Sequence, residues 1–283
     1  MSKQQCFRQN PAIRFVWTIV PTVLFILCSV PTVWAYKAHQ YKQKRDEDWK
    51  EYKKKHFIIY YKEAPMGFVK NVEEAAEQYY QEITKNLGFT RYKGWTWNDR
   101  ARIYIYDDRE DYVESGKVVR WSHGMASPKT KVIRTFPAAH GFFDTTLPHE
   151  LGHIIFREFV GFKARVPLWF EEGIAMYQEK AQRWGADRRV REALEDGRFI
   201  PLKDLALMRL TTRTPSDEVD LFYTEAASLV RFILDQQGRQ RFARLCRELK
   251  KGDPFDWTFA YVYVRFKTMD DLNKAWVDYL KSR

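Results

Sequence analysis

The sequence predicts an α+β chain in which a small mixed N-terminal sheet precedes an α-helical half. Three observations predict it. Strand-like apolar runs lie between residues 57 and 136, and the three- to four-residue helical period dominates from Leu147 almost to the C-terminus. The composition, 45% hydrophobic and 30% charged with 13 Gly and 11 Pro, belongs to globular chains rather than to disordered or low-complexity ones.

Each element has its own signal. Phe57-Ile58-Ile59-Tyr60-Tyr61 reads as a strand, and Phe68, Val72, Ala76, Tyr79, Ile83 and Leu87 recur at helical steps before a glycine stop at Gly88. Ile103 and Ile105 alternate with polar or amphipathic neighbours in a second strand. Lys131 to Phe136 predicts a third, with charges that suit a sheet edge. Helices are predicted over 146–160, 168–183, 187–196, 222–237, 239–251 and 269–281. Gly161, Gly238 and Gly252 break them, and Pro148 and Pro167 stand near starts.

Before the sheet, the chain reads as three segments. Residues 1–14 form a basic tail. Residues 15–36, Phe15 to Tyr36, carry no charge over 22 residues, enough at the helical rise to cross a hydrocarbon core. Trp17, Trp34 and Tyr36 fall where interfacial aromatics sit in an anchor, while Val33-Trp34-Ala35 suits signal-peptide cleavage near Ala35. Residues 37–56 read as a charged linker, with eight Lys/Arg and four acids. That excess after the apolar run points to a cytoplasmic domain by the positive-inside rule. The signal-like N-terminus points the other way, and the expectation is a membrane-anchored extracytoplasmic domain or a secreted one.

The net charge of +11 does not call for nucleic acid, because residues 57–283 hold 37 Lys/Arg against 33 Asp/Glu. The excess lies mainly upstream, and no nucleic-acid partner is expected. Three scattered cysteines, Cys6, Cys28 and Cys246, exclude a disulfide framework or a thiolate metal site, so any metal must rest on His or carboxylate ligands.

His149-Glu150-Leu151-Gly152-His153 meets that requirement. Histidines at i and i+4 lie on one helix face, where two imidazoles reach one ion, and Glu150 stands where a base can take a proton from water. Leu147, Leu151, Ile154 and Ile155 fall on the opposite arc, which turns the histidines towards a cleft. Phe159 occupies the position six after His153, so the third ligand is not the metzincin histidine. The next candidate is the acidic pair in Trp169-Phe170-Glu171-Glu172-Gly173-Ile174-Ala175, with eighteen residues between His153 and Glu172.

HELGH, eighteen residues and the glutamate of WFEEGIA resemble the gluzincin metallopeptidases of the peptidase MA-like branch. The resemblance is most specific between Thr145 and Tyr177. It implies a zincin-like metallopeptidase domain over 57–283, an edge strand over the active-site helix, and one catalytic Zn2+ on His149, His153 and Glu172, with Glu150 as general base. Glu171 is the rival ligand, and only one of the pair can face the ion, since a single residue turns a helix by about 100°. Gly173 leaves room for close approach beside Glu172. Gluzincins also place a donor on the developing oxyanion. Tyr223 in LFYTEAASLVRFIL is the candidate for that catalytic role, against its reading as a half-buried packing residue at a helix start. His123 is read as lining the cleft or as an ordinary loop histidine; His39, His56 and His140 have no constellation around them.

The implied function is zinc-dependent hydrolysis of peptide bonds in a peptide or protein substrate. Aminopeptidases of this clan resemble one another in a GxMEN word, whereas Gly124-Met125-Ala126-Ser127 lacks its glutamate, so an endopeptidase is expected. The alternative is a non-catalytic membrane-tethered zinc domain that binds peptide or cell-envelope components. The intact Glu150 speaks against it, because a structural site needs no base.

Overall fold

A computed structural model describes residues 49–89, 94–116, 124–137 and 141–283, apart from the side chains of 181–184. All of these belong to one compact unit, Asp48–Arg283. The tail 1–14, the apolar segment 15–36 and most of the linker 37–56 lie outside the described residues, as do His39, His123 and His140. Among the described residues, no helix is long and apolar enough to cross a membrane.

Strands β1 (Lys50–Lys53), β2 (Phe57–Tyr61), β3 (Ala101–Ile105), β4 (Gly124–Ser127) and β5 (Val132–Thr135) form one sheet in the order β1-β2-β3-β5-β4. The inner pairs β2/β3 and β3/β5 are parallel, the outer pairs β1/β2 and β4/β5 antiparallel, so the sheet is mixed. Phe57, Ile59, Ala101, Ile103 and Ile105 are fully buried, as their alternation predicts. Helix α1 (Met66–Asn86) makes the crossover from β2 towards β3 and buries Val69, Val72, Ala76 and Ile83. It ends at Gly88, whose φ of +72° favours glycine.

Two expectations about the sheet are corrected. The strand around 131–136 is not an edge: β5 lies inside, and β4 is the edge. Of the charges that suggested an edge, Lys131 pairs with Glu158, its Nζ 2.6 Å from the carboxylate, and the Arg134 guanidinium lies 5.7 Å from the Tyr104 ring centre with its buried Nε unpaired. Strand β1 lies inside the stretch read as a linker. Its KEYK sequence is mostly exposed, and it pairs through its backbone with β2.

After β5, Gly141 at φ +71° opens a π-helical turn, Phe142–Thr146, that runs into α3 (Leu147–Val160). The helices that follow are α4 (Leu168–Gln178), α5 (Lys180–Glu195), α6 (Leu202–Leu205), α7 (Ser216–Gln237), α8 (Arg239–Leu249), α9 (Phe255–Val262) and α10 (Met269–Lys281). Short α2 (Arg109–Glu114), with α6 and α9, adds helices that the periodicity did not predict. The helix predicted over 168–183 breaks at Glu179, whose ψ of 121° is extended. Helix α7 begins at Ser216 behind Pro215 rather than at 222; its first turn is polar and exposed, so the apolar period does not announce it. Tyr223 therefore sits inside the helix rather than at its start.

The core lies between sheet and helices and is centred on α4. Trp169, Phe170, Ile174 and Ala175 have no exposed surface. The three large side chains each stabilise the fold by about 1.5–3 kcal/mol on burial.

Candidate metal centre

Pro148 is tolerated at the start of α3 because the first N–H groups of a helix have no partner inside it. Leu147, Leu151, Ile154 and Ile155 fix the helix roll by complete burial, which leaves His149 and His153 side by side facing α4. Two glycines then bring the next helices close. A Cβ on Gly152 would lie 3.1 Å from Ala175 Cα of α4, and one on Gly173 would lie 2.3 Å from the Ala226 carbonyl oxygen of α7. Backbones approach there as they can only without side chains between them.

This packing brings three side chains together. Nε2 of His149 and Nε2 of His153 are 3.2 Å apart, and Glu172 Oε2 is 3.6 Å and 3.5 Å from them. Tetrahedral ligands at about 2.0–2.1 Å from one zinc stand about 3.3–3.4 Å from one another, so the triangle fits that ion. It is the one metal-holding trio of its kind among the described residues. Glu171 is committed elsewhere. Arg157 Nε donates to its Oε1 at 2.5 Å, a second guanidinium nitrogen reaches Oε2, and Arg157 also holds the Ala164 carbonyl at 3.1 Å. Its closest approach to a histidine is 3.9 Å, to His153 Nδ1.

Glu179 is a site residue that motif reading missed. The helix break turns its buried carboxylate to His149 Nδ1 at 2.8 Å, which fixes the ring and leaves Nε2 for a metal. An acid seven residues after Glu172, just past the apolar run 174–177, was the available signal, and its burial was not readable from sequence. Burial disfavours the His149 cation, but the hydrogen bonds to Glu172 and Glu179 overcome it and raise the imidazole to about 10. Burial also works against the Glu172 anion, and His149 and His153 overcome that, holding its carboxyl down to about 2. The pocket favours positive charge, as a site for a divalent cation must. Glu179→Gln should therefore weaken zinc binding about tenfold with little change in melting temperature, as read by chelator competition. Unchanged affinity would remove Glu179 from the site.

Glu150 stands outside the ligand trio. Burial raises its carboxyl, and the charges of His149 and His153 oppose that rise. Glu172 adds to it, while the backbone of Ala126, on the edge strand, lies close enough to lower it. Tyr223 of α7 packs with Met176, Ala186 and Ala227. Burial pushes its hydroxyl up to about 12, and the negative charges of Glu172 and Glu150 add to this, so the tyrosine is close enough to feel both and keeps its proton at neutral pH. His56 is structural: buried, stacked on Tyr80, with Nδ1 at 2.5 Å from Glu77.

The chain matches the family described as the Peptidase MA superfamily over residues 87–282, a span that contains every residue of this site. Among solved structures it is similar to native yeast LTA4 hydrolase, at 15% identity and a TM-score of 0.45, over 80% of this chain and 38% of that one. The chain thus spans well under half the length of that protein. No curated protein matches it.

Proposed function

The chain belongs to the Peptidase MA superfamily, and from that membership we propose that it is a zinc-dependent endopeptidase acting on extended peptide segments. The observation that carries the reading is the geometry of His149, His153 and Glu172, with a buried carboxylate, Glu150, beside the trio and outside it. His149, His153 and Glu172 would hold the ion; when bound, zinc supplies a Lewis acid that acidifies water and polarises the scissile carbonyl.

The chain's own groups do the rest. Glu150 takes the proton of the attacking water and returns it to the leaving amine. Its burial suits this, since a carboxylate raised towards neutral pH both accepts and donates. Tyr223 keeps its proton and donates to the carbonyl oxygen as that atom gains charge. The substrate lies along β4. β4 is the edge of the sheet and pairs with β5 on one side, so an extended peptide can add along its other side through backbone hydrogen bonds. Recognition of this kind reads backbone rather than a free amine, which supports internal cleavage. The apolar run 15–36 is kept in this proposal as an anchor, or as a signal peptide cleaved near Ala35, for a domain outside the cytoplasm.

The test is digestion of a complex peptide library by the full chain in detergent, first stripped of metal and then restored with zinc. Internal cuts that vanish on stripping and return with zinc are expected. No zinc-dependent cuts would overturn the proposal, and cuts confined to the N-terminal residue would overturn its endopeptidase part. Tyr223→Phe should lower kcat by about 10²-fold with little change in KM, because the lost hydrogen bond forms chiefly as charge develops. An unchanged kcat would return Tyr223 to packing alone.

A further inference from the structure

The surplus positive charge of the folded domain is concentrated in one stretch. Residues 239–267 hold eight Lys/Arg against three Asp/Glu, which leaves the remainder of residues 57–283 nearly neutral. All eight of those basic residues are exposed. Helix α8 buries Phe242, Ala243, Leu245, Cys246 and Leu249 and turns its arginines outward.

Beside these cations lies an apolar feature that folding does not cover. Trp257 is 58% exposed, Tyr261 49% and Val264 78%. Trp257 and Tyr261, one helical turn apart on α9, stack with ring centres 5.5 Å apart and planes 1° from parallel. The Arg244 guanidinium of α8 lies 5.5 Å from the Tyr261 ring centre, so the basic and aromatic groups form one continuous face. Lys251, two residues beyond the end of α8, is exposed and pairs with Glu248 at its surface.

We propose that this face, centred on Arg244, Trp257 and Tyr261 and flanked along the chain by exposed Arg241, Lys251 and Val264, docks the domain on an anionic phospholipid surface. Exposed arginines supply the attraction to headgroup phosphates. Trp and Tyr are the side chains whose apolar bodies and polar tips suit the headgroup level. Exposed Val264 adds an aliphatic contact of no use in water. Single-stranded nucleic acid also takes arginine and aromatic groups, but it needs open ring faces for bases to stack on. Here the rings face each other and Arg244 sits over one of them, whereas a bilayer interface accepts ring edges. Under the anchor reading of Phe15–Tyr36, on which this proposal rests, a bilayer is the anionic surface this chain meets.

The test is hydrogen exchange on the full chain in lipid nanodiscs of phosphatidylcholine alone and in discs with roughly 30% phosphatidylglycerol. Peptides covering residues 239–267 should exchange at least about fivefold more slowly in the anionic discs. The protection should disappear in about 0.5 M NaCl, where screening acts over about 4 Å. It should also disappear in Arg241→Glu/Arg244→Glu/Lys251→Glu, whose exposed positions leave the melting temperature in place. Equal exchange in the two disc types overturns the proposal. Protection by a single-stranded oligonucleotide but not by anionic discs also overturns it, in favour of a nucleic-acid face.

Discussion

Glu150→Gln is expected to bind zinc at the wild-type stoichiometry and to lose about 10³-fold or more of kcat. The two halves of that result test different things. Stoichiometric zinc is expected because the three atoms that fit the ion come from His149, His153 and Glu172, and amidation of Glu150 removes none of them. The loss of turnover is expected because glutamine can neither accept a proton at neutral pH nor return one to the leaving amine. The substitution is nearly isosteric, so the contact of α3 with the edge strand should stay in place. Kinetics and metal analysis on one preparation decide the matter. Near-normal kcat would remove Glu150 from the base role. Loss of zinc together with activity would make Glu150 a ligand and overturn the trio of His149, His153 and Glu172.

What was legible in the sequence is what local spacing encodes. His149 and His153 share a helix face whatever the rest of the chain does, and the burial of Leu151, Ile154 and Ile155 follows from the same period. The choice of Glu172 over Glu171 is a different kind of inference. Spacing and resemblance favoured Glu172, but the physical reason that Glu171 is withheld lies in Arg157, fourteen residues earlier, which no periodicity points to. The edge strand failed for a related reason. Gly124–Ser127 has no alternation to announce it and is a strand because β5 pairs with it, while Lys131, just ahead of β5, is paired by Glu158, a side chain distant in sequence. Glu179 acquires its role from a helix break that the apolar pattern runs straight through. In each case the missing information is tertiary: which backbone approaches, and which charge is already taken.

Gly173→Ala should show how far the metal site depends on such approach. In a helix interior, alanine is favoured over glycine by about 1 kcal/mol, so local propensity predicts stabilisation. Packing predicts the reverse, because the new Cβ would lie 2.3 Å from the Ala226 carbonyl oxygen and 2.7 Å from Val230 Cγ2. The valine methyl can rotate away, but the carbonyl belongs to the backbone of α7 and cannot. Overpacking of a well-filled core costs about 1–3 kcal/mol and more against main chain, so packing wins and a net loss of about 2 kcal/mol is expected. For a domain of this size that is a fall of about 4–8 °C in melting temperature. The site should suffer beyond the loss of stability. Glu172 is the neighbouring residue on α4 and Tyr223 rides on α7, so parting the two helices moves a ligand and the proposed donor together, and zinc ligands tolerate only about 0.2 Å of displacement. Zinc affinity should fall at least about tenfold, measured by chelator competition at a temperature where the variant is folded. Gly185→Ala is the control, since nothing lies within 4 Å of its added Cβ on α5. There the propensity term acts alone, and a small gain in melting temperature with unchanged zinc affinity is expected. Were Gly173→Ala to behave like Gly185→Ala, the close contact of α4 with α7 would not be what sets Glu172 in place.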